Sequence, residues 1–181
     1  RGVSVIFGDG AGAVVVSREE DTNKGILSTH LHSQGEFAEE LVVKAPGMGT
    51  RWVTDIISEN DPNDESYFPY MNGQFVFKNA VVRFSEVIME GLEKNKLSVS
   101  DINMLIPHQA NLRIAQFIQR KFKLNDDQVF NNIQKYGNTT AASIPIALTE
   151  AWEEGKIKEG DLVVLAAFGS GFTWGSVIIR W

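Results

Sequence analysis

The 181-residue sequence contains no cysteine. Disulfides, thiolate metal sites and a cysteine nucleophile within the chain are therefore all excluded. It has no apolar run approaching the length of a membrane span, and no signal peptide is visible at its start. A soluble, cytoplasmic protein without membrane contact is the expectation. Positive charge is in deficit: 17 Lys and Arg against 23 Asp and Glu leave a net charge of −6, which argues against general nucleic-acid binding. An initiating methionine is also lacking. The chain enters a strand-like run directly from Arg1-Gly2-Val3, which we read as a cut inside a larger protein. What is present, 43% apolar and 22% charged residues, suffices for one globular domain over 1–181 with a sizeable core.

Val3 to Phe7 and Ala13 to Ser17 are short β-branched runs around Gly8-Asp9-Gly10-Ala11-Gly12, predicting two strands joined by a glycine turn. The G-x-G-x-G spacing does not read as a dinucleotide loop, because that fingerprint requires a helix after the glycines. Ile26 to Ser33 predicts a third strand with His30 and His32 on one face. No third metal ligand is suggested nearby, so no metal site is assigned. From Val43 to Tyr70 the composition turns to Gly, Pro, Asn and acidic residues, ending in Ser58 to Ser66, as in a long surface loop. Its carboxylates lack the glycine and terminal glutamate of a calcium loop.

Asn72 to about Lys96 predicts a long amphipathic helix, with Phe77, Ala80, Val81, Phe84, Val87, Ile88 and Leu92 on one face. Asp101 to Pro107 predicts a strand, and Asn111 to Lys123 a helix buried through Leu112, Ala115, Ile118 and Phe122. Another face of that helix carries Arg113, Gln116, Arg120 and Lys123 at spacings of three or four. On an acidic chain this stripe is either a solvated face or a dock for an acidic partner. An extended piece near Val129 to Ile133 leads to a helix that ends near Gly155, with Pro145 in or close to its first turn. Leu162 to Ala167, the turn Phe168-Gly169-Ser170-Gly171-Phe172, and Thr173 to Trp181 predict a strand and an antiparallel return. Alternating strands and helices argue for a layered α/β fold.

Two polar side chains stand out. His108 lies between a buried strand and a helix, where open α/β sheets bind their ligands. Asn138 follows Gly137 and precedes another helix. By spacing alone the structural reading is the commoner one for each, the histidine as a satisfied polar group and the asparagine as a cap.

Four motifs in order decide between these readings: Phe7 to Ala13, Pro107-His108-Gln109-Ala110-Asn111-Leu112-Arg113, Gly137-Asn138-Thr139-Thr140-Ala141-Ala142-Ser143, and Phe168 to Gly175. Together they resemble the carboxy-terminal half of β-ketoacyl-acyl-carrier-protein synthase III, the condensing enzyme that initiates bacterial fatty acid synthesis. The resemblance implies one half of a thiolase-like layered α/β fold, with a mixed five-stranded sheet and helices on both faces. It implies a homodimer, a decarboxylative condensation of acyl-coenzyme A with malonyl-acyl-carrier protein, and coenzyme A thioester as substrate, with no cofactor or metal. His108 and Asn138 match the family's histidine and asparagine, while its cysteine belongs to the amino-terminal half. Phe168 and Ser170 match the active-site wall and second oxyanion hole, although the family pattern has glycine at the latter. Gly73, Phe77, Ala110, Asn111 and Ile114 match the pantetheine and acyl tunnel, and Arg1 an arginine beside the coenzyme A adenine. Gln109, Arg113, Arg120 and Lys78 match the surface that receives acyl-carrier protein. The Val43 to Tyr70 loop is longer than the family pattern. Without the cysteine, the chain alone is expected to be inactive and to self-associate. The alternatives are a related condensing enzyme of the polyketide starter type or a non-catalytic binding or dimerisation module; Gln109-Ala110-Asn111 and Gly137-Asn138-Thr139 disfavour a hydroxymethylglutaryl-coenzyme A synthase.

Overall fold

The computed structural model describes residues 5–44 and 65–181. Its centre is a mixed sheet built from β1 (Gly25–Ser33), β4 (Met104–Pro107), β5 (Leu162–Gly169) and β6 (Thr173–Arg180), in the order β1-β6-β5-β4. β4 runs parallel to β5, whereas β6 is antiparallel to both β5 and β1. A fifth extended segment joins the far edge through a single parallel bridge between Leu105 and Val129. Where five strands are expected, the described residues form a four-stranded sheet of three ladders, with this one-residue bridge at its edge. A separate two-stranded ladder pairs β2 (Leu41–Val42) with β3 (Tyr70–Met71).

Strand alternation sends successive side chains to opposite sheet faces, and both faces are covered. Leu105, Leu162, Val164, Ala166, Phe168 and Ile178 pack on one side with Phe84, Ile88 and Leu92 of α1 (Gly73–Lys94) and Ile114 and Ile118 of α2 (Leu112–Phe122). Met104, Ile106 and Val163 pack on the other with Ala147 and Ala151 of α4 (Ser143–Glu153). Burial on two faces explains why β4 and β5 read as continuous apolar runs. Asn72 caps α1, and the Asn111 side chain accepts from Arg113 N at 2.9 Å to cap α2. α2 ends at Lys123 in the left-handed region, φ 55°.

Several expectations are corrected. Val5 to Ser17 does not form two strands: apart from an isolated bridge between Phe7 and Asn138, the segment is irregular, and Val14, Val15 and Val16 are 66, 98 and 73% exposed. A β-branched run becomes a strand only where a ladder partner is within reach, and no described strand offers one. The strand before His108 begins at Met104 because Val99–Asp101 is a 3-10 turn closed by a Ser98–Asp101 capping box. Ile133 opens α3 (Ile133–Tyr136), a short helical turn, and does not continue the extended piece. Most of the 43–70 loop lies outside the described residues, but its ends are tied by the β2–β3 ladder, which takes in Val42 and Tyr70.

Candidate active site

His108 directly follows β4, and its N–H donates to Ala166 O of β5 at 2.8 Å, extending the parallel ladder by one bond. The residue is therefore fixed at the carboxyl end of two adjacent parallel strands. Its Nδ1 lies 2.6 Å from Ser143 Oγ at the start of α4. Burial pushes the imidazole pKa down to about 4, since an imidazolium would lose its hydration with no carboxylate in compensation. Desolvation is the cause of the shift. At neutral pH the ring is a neutral hydrogen-bonding group.

Asn138 is 9% exposed and sits on the turn between α3 and α4. Its Oδ1 accepts from Thr140 N at 2.9 Å, which fixes the amide rotation. Thr140 takes a left-handed φ of 51° to make this turn. The backbone of Asn138 is gripped from outside the turn: Asn138 N donates to Ile6 O at 2.9 Å and Gly8 N to Asn138 O at 3.0 Å.

That grip explains the glycine-rich stretch. Gly8, Gly10 and Gly12, two apart, lie against the Asn138 turn and α4. A Cβ on Gly8 would stand 2.0 Å from Tyr136 O, on Gly10 3.0 Å from Thr139 Cβ, and on Gly12 2.5 Å from Pro145 Cβ. The spacing serves close backbone approach, so the predicted turn between strands is replaced by a strip laid along the Asn138 turn. The inner side of α3 is anchored separately at Glu150, which accepts from Asn132 Nδ2 at 2.8 Å, Lys135 Nζ at 2.6 Å and the Tyr136 hydroxyl. Partial burial raises the Glu150 pKa, but these donors more than offset it and hold the carboxyl at about 2.

His108 and Asn138 line one open cavity of about 1230 Å³. Neither His108 Nε2 nor Asn138 Nδ2 has a hydrogen-bond partner among the described residues, whereas the other polar atom of each side chain is engaged. Phe168, Ser170, Gly73, Phe77, Ala110, Asn111 and Ile114 line the same cavity. A histidine and an amide nitrogen in an otherwise largely apolar cleft can, as N–H donors, stabilise an anion or hold a carbonyl oxygen. Ser170 Oγ donates to Leu41 O at 2.6 Å, turning the side chain toward β2, so any oxyanion donor there is the backbone N–H.

Other sequence-derived residues fall elsewhere. Arg113 and Arg120 on α2 and Lys78 on α1 are exposed, with no ion pair among the described residues. Gln109 is corrected: it is 3% exposed and cannot belong to a docking surface. Its Nε2 donates to Pro107 O at 2.7 Å, and its Oε1 accepts from Asn132 N at 3.0 Å and Ile133 N at 3.2 Å, tying the His108 turn to α3. His30 and His32 do share a face, and both meet Glu90 of α1, at 3.4 and 2.6 Å. Arg1 lies outside the described residues. Sequence reading assigned no role to Thr140, Ser143 or Glu150. The first two stood inside the quoted motif, but only the fold shows which atoms they hold.

A family model described as 3-oxoacyl-[acyl-carrier-protein] synthase III C terminal matches residues 92–181, and one described as 3-oxoacyl-[acyl-carrier-protein] synthase III matches residues 1–35. The β-ketoacyl-[acyl-carrier-protein] synthase III of Rhodospirillum centenum is 45% identical over 184 residues, covering 100% of this chain and 53% of that protein. The Clostridioides difficile protein of the same name is 45% identical over 181 residues, with 100% and 53% covered. Among solved structures, the 3-oxoacyl-[acyl-carrier-protein] synthase III of Aquifex aeolicus superposes with a TM-score of 0.85 at 43% identity, over 100% of this chain and 52% of that one. The Thermus thermophilus enzyme gives 0.80 at 35% identity, over 100% and 53%. The chain thus spans about half the length of the relatives it matches, and its mixed sheet with helices on both faces is the thiolase-like fold. From motifs, fold and these matches together, the chain belongs to the β-ketoacyl-[acyl-carrier-protein] synthase III family.

Proposed function

We propose that this chain supplies the condensation half of a β-ketoacyl-[acyl-carrier-protein] synthase III active site. In this reading an amino-terminal half carries the cysteine, which takes an acyl group from acyl-coenzyme A. Malonyl-acyl-carrier protein then loses carbon dioxide, and the resulting enolate attacks the acyl-cysteine to form the ketoacyl product. Negative charge develops on the malonyl thioester oxygen. The Nε2–H of His108 and an Nδ2–H of Asn138 donate to that oxygen. They are held in advance in a partly buried cleft, where such donors act most strongly. Neither residue serves as a base for the nucleophile.

The observation that carries this reading is the pairing on one cavity of two polar nitrogens without a partner among the described residues, each with its other polar atom already tied down. The depressed His108 pKa supports a neutral donor. Phe168 walls the reacting centre, the Ser170 backbone N–H faces the acyl-cysteine carbonyl, and Gly73, Phe77, Ala110, Asn111 and Ile114 form the tunnel for the pantetheine arm. Arg113, Arg120 and Lys78 receive the acidic acyl-carrier protein, a role supported by their exposure on a chain of net charge −6. No metal or cofactor is required. The working protein is a cytoplasmic homodimer; no described helix is long and apolar enough to cross a membrane.

The test uses the complete two-half protein carrying His108→Ala or Asn138→Ala. Both variants should still acylate the cysteine from acyl-coenzyme A yet lose about two to three powers of ten in condensation with malonyl-acyl-carrier protein. Product formation at the unaltered rate would overturn the assignment.

A further inference from the structure

Building on the donor role assigned to His108, we propose that Ser143 is a positioning residue: its hydroxyl donates to His108 Nδ1 and so holds the imidazole in the tautomer that carries its proton on Nε2, facing the cavity. Ser143 is the first residue of α4, 35 positions from His108, and is 2% exposed. A buried hydroxyl needs an acceptor for its single hydrogen. The acceptor available is His108 Nδ1 at 2.6 Å; among the described residues the hydroxyl makes no other contact in which it could donate.

A second contact fixes the direction. Gln109 N, which can only donate, points at Ser143 Oγ from 3.3 Å. With one lone pair of the serine oxygen directed at that N–H, the hydroxyl hydrogen remains for the ring. The reverse arrangement, with Nδ1–H donating to the serine, would leave the buried hydroxyl hydrogen unpaired. It would also present a bare Nε2 lone pair to the cavity, repelling the oxyanion that the donor reading requires His108 to stabilise. The Ser143–Gln109 pair thus sets the sign of the interaction His108 offers. A polar residue at the first position of a helix usually serves as an ordinary end group; here the neighbouring histidine uses it.

Nitrogen-15 NMR of histidine-labelled chain, with His30→Gln and His32→Gln variants to assign His108, tests this directly. At pH 7.5 the wild type should show a protonated Nε2 and an unprotonated, hydrogen-bonded Nδ1. Ser143→Ala should move His108 toward a mixture of tautomers, and Ser143→Thr, which keeps the hydroxyl, should restore the wild-type pattern. A wild-type His108 protonated on Nδ1, or a Ser143→Ala spectrum identical to wild type, would overturn the proposal; the first result decides even if the alanine variant fails to fold. In the complete two-half protein, Ser143→Ala should lower kcat for condensation about tenfold to a hundredfold, with cysteine acylation and the KM for malonyl-acyl-carrier protein unchanged. Loss of acylation as well would reduce Ser143 to a structural role. Failure of the donor reading itself is seen separately, as undiminished condensation by His108→Ala while the tautomer result stands.

Discussion

The chain contains two stretches written in the same code. Val3 to Ser17 and Leu162 to Trp181 are each a pair of apolar, β-branched runs around a glycine-dense centre. The second folds as the β5–β6 hairpin, paired from Leu162↔Arg180 to Gly169↔Thr173. The first, where described, is an irregular strip with three consecutive exposed valines. Each nevertheless holds one donor of the cavity: β5 fixes the His108 backbone through Ala166 O, and the strip fixes Asn138 through Ile6 O and Gly8 N. Intrinsic strand preference does not separate them, since partner and burial decide whether a β-branched run becomes a ladder. One donor therefore rests on core structure and the other on a surface strip held by two backbone bonds.

The sharpest way to probe this contrast is to remove side-chain volume from each. Ile178 in β6 is fully buried against α1, close enough that a Cβ on Gly91 would meet its Cδ1 at 2.7 Å. Ile178→Ala should cost about 2–5 kcal/mol, whereas Val15→Ala, at a 98% exposed position, should remain within about 0.5 kcal/mol. Urea midpoints at constant m-value measure both. Comparable losses would mean the strip is as much part of the core as the hairpin.

Acid titration separates the two donors next. The folded His108 pKa of about 4 lies below its ordinary 6.5, so the unfolded chain binds the proton first. This contribution to stability is complete above pH 6.5 and is lost as pH falls from 6.5 towards 4, by up to about 3 kcal/mol. Glu150, which anchors the Asn138 side, has its folded pKa lowered from 4.5 to about 2. Its contribution is present above pH 4.5 and is lost between 4.5 and 2, an effect on the order of 1 kcal/mol for a partly solvated network. Stability followed against pH should fall in two windows. His108→Gln should flatten the upper one, and Glu150→Gln the lower.

The hairpin and the helices α1 and α2 were legible because their apolar periodicity matches their burial: Ala80, Phe84, Ile88 and Leu92 carry α1, Ala115 and Ile118 carry α2, and Leu162 to Phe168 carry β5. His108 and Asn138 were legible as motif residues, and the geometry adds the cavity they share. Illegible were features that depend on distant partners. Nothing local says that Gly8 faces Tyr136 O, that Ser143 reaches His108, or that Gln109, polar and next to a cationic helix, turns inward to serve Asn132 and Ile133. The strip misled because a β-branched run around glycines predicts a hairpin wherever no alternative partner is visible in the sequence.

The smallest expected effect lies within the strip itself. Gly8→Ala would set a Cβ against the Tyr136 carbonyl, while Gly169→Ala in the hairpin turn meets nothing within 4 Å. Because the strip is joined to the Asn138 turn by two backbone bonds and carries no ladder, it should yield by lifting away rather than by straining the core, leaving the thermal midpoint within about 2–4 °C of wild type, as for a change of about 1 kcal/mol in a chain of this size. Amide hydrogen exchange is the sensitive readout, since local opening is detected well below global unfolding. In wild type the His108 N–H should exchange slowly, and the Asn138 N–H faster, through detachment of Ile6. Gly8→Ala should accelerate exchange at Asn138 about tenfold or more without changing His108, and Gly169→Ala should alter neither. Equal protection of the two amides in wild type would show that the strip is held as firmly as the hairpin, and the distinction between the donors' supports would then fail.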